Sequence, residues 1–478
     1  MSPAYENLWN SDEQARIDAD IEANRKADAS IALGAPAGAK VKVEQLTHEF
    51  KFGAHLFNFN QLGSDAANAS HQALYGMDSS ALFNSATVAF YWRPLEPVEG
   101  KVRFDEAEED TAAWWNACPD PEWQPHWRRP PTEPCVRFCE AKGIRIHGHN
   151  IVWGNREWHY PEWLMAKLPH DILAQMLTND RGGDSILKQP LDVVEKRIPG
   201  FAEEVTALTE RRFAAIAERY GKRIQSWDVC NESALDFERG NLVPGAKLAR
   251  GYHKTFMPGD YCHHAFQTAM KVFPKEALLN INDYWMRPAY PAQVKDMLSR
   301  GDKIDIMGLQ MHLFNPQQCQ DLADGVPGAG NDLSASPATI RKTMETVYVP
   351  DMPTHLSEIT ITAPGGDAKG EAIQATITRN LYRIWFSFPQ MMGITWWNTV
   401  DGCGAPGEPS VSGILHRDGT RKAAYDALDE LINHEWKTNL VATADASGAV
   451  SFRGFRGSYR LSWTDASGTV QERTLSIA

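Results

Sequence analysis

One helix-and-strand unit near the middle of the chain decides the fold; residues 201–233 read FAEEVTALTERRFAAIAERYGKRIQSWDVCNES. In its first part, Phe201–Tyr220, apolar residues recur at the spacing of an amphipathic helix. A short run typical of a buried strand follows at 224–231, and Glu232 comes directly after it. Because the helix leads straight into a strand, the unit is typical of a parallel sheet whose strands are joined by helices.

The same alternation recurs along most of the chain. Eight strand-like runs are predicted, at 52–59, 83–91, 145–153, 224–231, 278–284, 304–312, 354–361 and 393–400. Segments of helical period lie at 201–220, 260–273, 291–299, 337–347, 371–386 and 421–435. Eight repeats of this kind predict an α/β protein with a closed (β/α)8, or TIM, barrel. Two connections look long, at 106–134 and 179–196.

Both ends of the chain carry elements outside the predicted barrel. Residues 12–26 have the pattern of an amphipathic helix, and 39–44 that of a strand. At the other end, runs at 450–455, 459–463 and 469–477 are separated by turn residues and predict a three-stranded antiparallel meander. We therefore expect 1–50 to pack on the barrel, 51–436 to form it and 437–478 to form the meander. The two strand-rich ends are expected to pair into a small β-sandwich.

Composition narrows the class of protein. The chain has 478 residues, of which 43% are hydrophobic, so it can bury a large core. Its 48 basic and 61 acidic residues give a net charge of −13, so neither nucleic-acid nor membrane-surface binding is expected. Residues 1–24 are acidic and amphipathic, where a secretory signal would have a basic stretch and an apolar block. No export signal is therefore expected in this chain, and its compartment and oligomeric state stay open.

The seven cysteines are an odd number spread over a long chain, and they fit neither a disulfide framework nor a zinc pattern. We expect mostly buried free thiols. Sixteen tryptophans are many for this length. Flat aromatic side chains serve the core, and they also line pockets for flat ligands such as sugar faces.

Polar and aromatic residues cluster where the predicted strands end, which is where barrel enzymes place their active sites. Two carboxylates, Glu232 and Glu358, stand there among aromatic and amide residues. Glycoside hydrolysis needs such a pair, because one carboxyl protonates the leaving oxygen while the other attacks or stabilises the sugar carbon. We expect tryptophan walls to raise the pKa of the acid. Hydrogen bonds from groups such as His312 or Gln310 are expected to keep the other carboxylate ionised.

The residues at these strand ends resemble glycoside hydrolase family 10, whose typical members are retaining endo-β-1,4-xylanases on a (β/α)8 barrel. The family motif Trp-Asp-Val-x-Asn-Glu matches 227–232, and the family's seventh-strand glutamate falls on Glu358. The resemblance covers residues 50–435. It implies that Glu232 is the general acid/base, that Glu358 is the nucleophile and that Asn231 donates to the sugar 2-hydroxyl. It also implies double displacement on xylan or a xylan-derived saccharide, with no metal and no cofactor.

Further motifs of the family are present. Gly-His-x-x-x-Trp matches Gly148, His149 and Trp153, and Gln-x-His matches Gln310 and His312. Asn-Asp-Tyr matches 282–284, and Gly-Ile-Thr-x-Trp matches 393–397. The resemblance implies that the substrate is bound by side chains from each of these motifs: His149, Trp153, Tyr284, Gln310, His312 and Trp397, the last as a floor for the reactive sugar.

The chain departs from the family where xylanases usually show Glu-Asn-x-x-Lys, which grips the xylose units on the non-reducing side. Here the stretch at 89–93 reads AFYWR. Arg93 is the candidate replacement for the lysine, and its planar fork would hold a hydroxyl pair or a carboxylate differently. Tyr91 and Trp92 offer stacking. Gly154 and Thr360 stand where a histidine and an aspartate are common. We therefore expect weak or altered action on plain linear xylan.

Three alternatives remain open at this point. In the first, the substrate is another β-glycan, a decorated xylan or an aryl glycoside. In the second, a metal-dependent barrel hydrolase, His147, His149, His312 and Asp401 would converge as ligands, and activity unaffected by a chelator would exclude it. In the third, a sugar-binding module has lost catalysis, although both carboxylates are present.

Overall fold

The computed structural model describes residues 1–118, 129–178, 182, 184–329 and 336–478. In chain order its strands are β1 (Lys26–Ala32), β2 (Lys40–His48), β3 (Lys51–His55), β4 (Ser85–Ala89), β5 (Arg145–His149), β6 (Val152–Trp153), β7 (Ser226–Asn231), β8 (Leu248–Gly251), β9 (Thr255–Pro258), β10 (Leu278–Asp283), β11 (Ile306–Gln310), β12 (Thr354–Ile359), β13 (Met391–Trp396), β14 (Asn439–Thr443), β15 (Ala449–Phe455), β16 (Gly457–Thr464) and β17 (Val470–Ile477).

The α-helices of the described ranges are α1 (Pro3–Leu8), α2 (Ser11–Arg25), α3 (Asp65–Ala73), α4 (Trp92–Leu95), α5 (Ala112–Ala117), α6 (Thr132–Lys142), α7 (Glu162–Met165), α8 (His170–Thr178), α9 (Leu191–Arg197), α10 (Phe201–Tyr220), α11 (Ala234–Glu238), α12 (Tyr261–Val272), α13 (Ala289–Ser299), α14 (Pro316–Asp324), α15 (Pro337–Thr346), α16 (Ala368–Ser387) and α17 (Ala423–Asp429). A π-helical turn, Glu430–Glu435, continues α17. None of the described helices is both long and apolar enough to cross a membrane.

Eight parallel strands close into a barrel, which confirms the predicted fold class. Their order is β3, β4, β5, β7, β10, β11, β12 and β13, and β13 pairs back to β3. Strands β3, β4, β7, β11 and β12 are buried along their whole length. Burial on both faces is expected where helices cover a parallel sheet, and it explains why these runs read as continuous strands in the sequence.

The predicted helices are present, and α10 has the predicted bounds. The sequence did not predict several short helices in the connections, such as α3 and α14, because a few turns carry little periodic signal. Of the long connection at 106–134, residues 119–128 lie outside the described residues, as do 179–181 and 183 of the connection at 179–196.

The two ends of the chain form a small β-sandwich outside the barrel. One sheet has the order β14, β2, β16, β17, and the other pairs β1 with β15. Val43, Val450 and Leu461 belong to the apolar core between them. The sequence did not predict β1 or β14. The N-terminal helix α2 lies against α16, where the Asn24 amide donates to the Ser387 carbonyl over 2.8 Å.

The expected C-terminal meander is wrong at its first step. Strand β15 pairs with β1, whereas β16 pairs with β17 and β2. Only Arg456 separates β15 from β16, which is shorter than the two-residue loop of a tight hairpin, so the chain crosses to the other sheet. Gly457 permits this crossing, since a Cβ there would lie 2.0 Å from the Thr47 carbonyl oxygen.

None of the seven cysteines, all of which lie in the described residues, forms a disulfide, and all but Cys118 are buried, as expected for core thiols.

Candidate active site

The carboxyl ends of the barrel strands open into one cavity of about 880 Å³. Nine of the ten predicted site residues line it: His149, Trp153, Asn231, Glu232, Tyr284, Gln310, His312, Glu358 and Trp397. Each lies in the last residues of a strand or directly after one, so the barrel itself brings together residues more than 200 positions apart.

Glu358 lies near the end of β12 and is buried. The Asn282 amide donates to its Oε1 over 2.8 Å. His312 Nε2 lies 3.1 Å from the other oxygen, Oε2, and His149 Nε2 lies 3.7 Å from Oε1. Both oxygens therefore face donor groups on rigid strands, which fixes the carboxyl in the cavity.

The Asn282 amide links the two predicted catalytic strands. Its oxygen accepts the Ser357 hydroxyl over 2.6 Å, which fixes its amide so that the nitrogen reaches Asn231 Oδ1 as well as Glu358. Gly308 makes room for this group, since a Cβ there would lie 2.5 Å from the Asn282 oxygen. The Asn231 oxygen is thus used by its neighbours, and its amide nitrogen remains available for a ligand in the cavity.

His312 is held between Glu358 and Thr360. Its Nδ1 lies 2.9 Å from the Thr360 hydroxyl, and burial lowers the pKa of the imidazole to about 4. A threonine adds no negative charge that would favour the imidazolium, in contrast to the aspartate that is common in the family. His312 is therefore neutral at neutral pH, and its two ring nitrogens lie against Glu358 and Thr360.

Glu232 follows β7 in a left-handed backbone conformation, with φ 55°. Such a conformation costs a non-glycine residue about 1–3 kcal/mol and is typical of functional positions. Trp153 Nε1 donates to its Oε2 over 2.9 Å, and Gln310 donates to Oε1 over 3.3 Å. His253 Nε2 lies 2.8 Å from the same Oε2.

The surroundings separate the pKa values of the two carboxyls, but in the direction opposite to the expected one. Burial raises the pKa of Glu358 to about 8, and the neighbouring Glu232 carboxylate adds to the effect. Burial also acts on Glu232, yet His253, Gln310 and Trp153 hold its pKa below the ordinary value. A raised pKa was expected for Glu232, with Gln310 keeping the other carboxylate ionised. That expectation was wrong because Gln310 and the Trp153 N–H both donate to Glu232 and stabilise its ionised form.

One proton is therefore retained by the pair of carboxyls, and in the free protein it resides on Glu358. The double displacement that the sequence predicts would need that proton on Glu232 and an ionised Glu358. That form would contain the same number of protons, so a proton transfer within the site would reach it without a change in pH.

His147 and His149 share one buried carboxylate. His147 Nε2 lies 2.8 Å and His149 Nδ1 2.7 Å from Asp228 Oδ2. Burial favours the neutral acid, but the two imidazoles hold the pKa of Asp228 well below its usual range. Asp401, the fourth ligand of the metal alternative, lies 3.0 Å from Lys422 Nζ, so its charge is already compensated. Asp228 thereby orients the imidazole of His149, whose Nε2 faces Glu358.

Arg93 is the one predicted site residue that does not line the cavity. Its guanidinium pairs with Glu162 at 2.7 Å and donates to the Glu157 carbonyl. Tyr91 lines the cavity as expected, whereas Trp92 is buried behind it and donates to Glu96. Arg93 was predicted to lie in the site because it stands at the position of the family's usual lysine, but it belongs to the helical turn α4, which begins at Trp92.

Several lining residues were missed because they come from connections with no periodic pattern. They are Pro94, Arg129, Trp158, Trp285, Met286, Arg287, Phe314, 405–407 and Glu408. His253, which lies against Glu232 without lining the cavity, was missed as well. The signal that was present in the sequence is the tryptophan surplus, since four of the sixteen tryptophans line this cavity.

A closed barrel with paired carboxyls in an aromatic cavity at its strand ends has the architecture of a barrel glycoside hydrolase. The chain belongs to Glycosyl hydrolase family 10, whose profile matches residues 113–431, which is 319 of the 478 residues. The match begins after β3 and β4, where the sequence departs from the family's usual residues.

Individual relatives are more distant. The chain is 24% identical to the anti-sigma-I factor RsgI6 of Acetivibrio thermocellus over 68% of this chain and 34% of that protein. It is 27% identical to a putative endo-1,4-beta-xylanase of Caldicellulosiruptor saccharolyticus over 37% of this chain and 46% of that protein. The chain thus spans less than half the length of these two relatives. Xylanase B from Clostridium stercorarium F9 has a similar fold, with a TM-score of 0.50, 17% identity, and coverage of 80% of this chain and 96% of that one.

Proposed function

We propose that the protein is a retaining β-glycosidase that cleaves β-1,4-xylosidic bonds in xylan or xylan-derived saccharides. The observation that carries this proposal is the pair Glu232 and Glu358, which line one cavity with different sets of partners; Glu358 is buried and Glu232 largely so. Family membership and the xylanase names of several relatives support xylan as the substrate class.

The chemistry proposed for the pair is a double displacement. Glu358 attacks the anomeric carbon while Glu232 protonates the leaving oxygen, which forms a covalent glycosyl-enzyme. Glu232 then takes a proton from water, and that water releases the sugar from Glu358. Because Asn231 has its oxygen occupied, its amide nitrogen can donate to the sugar 2-hydroxyl during both steps.

Trp397 is proposed as the floor for the reactive sugar. It is almost fully buried, and its ring packs edge-on against His55, Phe57 and His149 at centroid distances of 5.0–5.3 Å. A ring held on three sides cannot turn away when a sugar leaves. This rigidity suits a stacking surface, because little conformational entropy is lost on binding.

A decorated xylan is the second candidate substrate, and Arg129 favours it. The guanidinium lies 4.6 Å from the centre of the Phe57 ring and 5.9 Å from that of Tyr91, on the cavity wall. In the part of the chain that the structure describes, no carboxylate forms an ion pair with it, and burial lowers its pKa. Glu408 lines the same cavity but is engaged by Asn398 and the Ala405 amide. The planar guanidinium of Arg129 can donate two parallel hydrogen bonds to the carboxylate of a glucuronosyl branch.

Replacing Arg129 by glutamine is expected to remove a preference for acidic branches. We expect the wild type to favour a glucuronate-bearing xylo-oligosaccharide over its linear counterpart by about tenfold in kcat/KM, because a charge-assisted hydrogen bond contributes about 1.5–3 kcal/mol. The matched control is Arg93→Gln, which changes an arginine outside the cavity. If both variants lost the preference equally, or if the preference survived Arg129→Gln, the selectivity for acidic branches would belong to other groups.

The function itself is tested with a panel of aryl β-glycosides, namely xyloside, xylobioside, glucoside and cellobioside, together with linear and glucuronate-decorated xylans. Turnover of the xylobioside and of either xylan supports the proposal. Turnover confined to the glucoside and cellobioside would keep the chemistry and replace the substrate. No turnover of any member would favour a sugar-binding module.

A further inference from the structure

A histidine from outside the barrel strands lies against the proposed acid/base. Strands β8 and β9 form an antiparallel hairpin between α11 and α12, and His253 lies in its turn. The imidazole Nε2 is 2.8 Å from Glu232 Oε2, and both side chains are largely buried. The ring N–H does not point at the oxygen, so the contact is an ion pair and not an aligned hydrogen bond.

The hairpin holds His253 in place through contacts on both sides. The Tyr252 amide donates to Asp236 Oδ1 over 2.7 Å, and Tyr261 donates to Oδ2 of the same carboxyl over 2.9 Å. The His253 backbone forms a β-bridge with Asn155. The backbone around His253 is thus held by α11 and by Asn155, independently of Glu232.

The charges around the imidazole are mostly negative. Glu232 at the end of β7, Asp236 on α11 and Asp283 at the end of β10 all face it. Burial opposes the imidazolium, but these carboxylates raise the pKa of His253 above its ordinary value. Tyr284 lies 6.4 Å away between ring centres, and Lys254 follows in the same turn.

We propose that His253 is a positioning residue that shares one proton with Glu232 and thereby keeps a proton available to the acid/base at a pH where an isolated glutamate would have lost it. The inference rests on the proposed function, since it assigns a role to a neighbour of its acid/base. His253 does not line the cavity, so it acts on the substrate through Glu232.

The proton follows a balanced route. A rotation of the His253 ring brings its Nε2–H into line with Glu232 Oε2, 2.8 Å away, and the imidazolium then releases that proton to Oε2. Glu232 releases one proton from Oε1 to the leaving oxygen. The imidazole is then neutral and Glu232 is ionised. In the second step Glu232 accepts a proton from the attacking water, and the pair again holds one proton.

The direction of the pH effect follows from counting proton sites. Two groups that share one proton, such as the Glu232 carboxyl and the His253 imidazole, release it at a pH at least as high as either group would alone, because the proton can reside on either of them. Removing the imidazole therefore moves the basic limb of the pH profile to lower pH or leaves it in place, and it cannot move that limb to higher pH. A shift to lower pH means that Glu232 and His253 together supply the proton.

The test compares His253→Gln with wild type in the pH dependence of kcat/KM on an aryl xylobioside with a poor leaving group. We expect the basic limb to move to lower pH by about one unit, with most of the loss on the alkaline side. With a 2,4-dinitrophenyl leaving group, which needs no protonation, the shift should vanish. His434→Gln, on an exposed histidine of the π-helical turn, is the matched control. An unmoved limb, or an equal loss at every pH, would overturn the proposal.

A second measurement needs no turnover and keeps this proposal separate from the proposed function. Titration of the His253 imidazole by NMR in wild type and in Glu232→Gln should show a lower imidazole pKa in the variant. An unchanged imidazole pKa would overturn the shared proton even if the protein proves to be an active glycosidase. A lowered one in a protein that hydrolyses no glycoside would leave the pair intact and contradict the proposed function.

Discussion

Glu358→Gln is expected to lower kcat on every glycoside by at least about 10⁴-fold, because no covalent intermediate can form without the nucleophile. The amide has almost the shape of the carboxyl, so the contacts with Asn282 and His312 are largely kept. Loss of activity with an intact fold separates a nucleophile from a structural carboxyl. A residual rate within tenfold of wild type would contradict the assignment.

The same variant is expected to be more stable than wild type at pH 8. Burial raises the pKa of Glu358 from 4.5 to about 8, so the folded protein holds a proton that the unfolded chain releases. Stability that depends on this proton is present below pH 4.5 and is lost as the pH rises through 8. At about 1.4 kcal/mol per pKa unit, the difference between 4.5 and about 8 limits the gain in the free energy of unfolding to roughly 5 kcal/mol.

The stability effect is measured by denaturant unfolding at pH 5 and pH 8. The excess in the free energy of unfolding of Glu358→Gln over that of the wild type should be larger at pH 8 than at pH 5. Glu276→Gln, on an exposed carboxyl far from the site, is the control and should show no such dependence. A variant that is less stable than wild type at both values would contradict the raised pKa.

Glu232→Ala is expected to produce a loss that depends on the leaving group. For xylan and other substrates that need protonation, we expect kcat to fall by about 10³–10⁴-fold. For a 2,4-dinitrophenyl glycoside the first step needs no acid, so the glycosyl-enzyme should form and accumulate. Added azide fits the space left by the side chain, and it should restore turnover and yield a β-glycosyl azide.

Trp153→Phe is a useful comparison for the acid/base variant. It removes one donor to Glu232 and keeps an aromatic ring beside Tyr91. We expect a far smaller loss and no effect of azide. If Glu232→Ala were impaired equally with every leaving group and unaffected by azide, Glu232 would not be the acid/base.

The barrel and the position of the two carboxyls in one cavity were predictable because both depend on short-range sequence pattern. Alternating helices and strands determine a parallel sheet, and the ends of parallel strands meet on one face. That rule places Glu232 at the end of β7 in the same cavity as Glu358 of β12, although 126 positions separate them (358 − 232).

The rest of the site depends on connections whose course no short pattern determines. Arg93 was placed in the site because it stands where the family usually has a lysine, but it lies in the short helix α4 and does not line the cavity. Arg129, which does line it, comes from a connection with no periodicity. His253 lies on a hairpin of two four-residue strands. The order of the two pKa values was wrong for the same reason, because it depends on which donor faces which oxygen in space.

The double displacement is tested most directly by incubating the protein with a 2,4-dinitrophenyl 2-deoxy-2-fluoro-β-xylobioside and measuring the intact mass. The fluorine slows both steps, and the good leaving group lets the first proceed, so a covalent intermediate should accumulate. We expect one added 2-fluoroxylobiosyl group, located on Glu358 by peptide mapping and absent from Glu358→Gln. A label on another residue, or hydrolysis of substrate to the inverted sugar with no label, would contradict Glu358 as the nucleophile of a retaining enzyme.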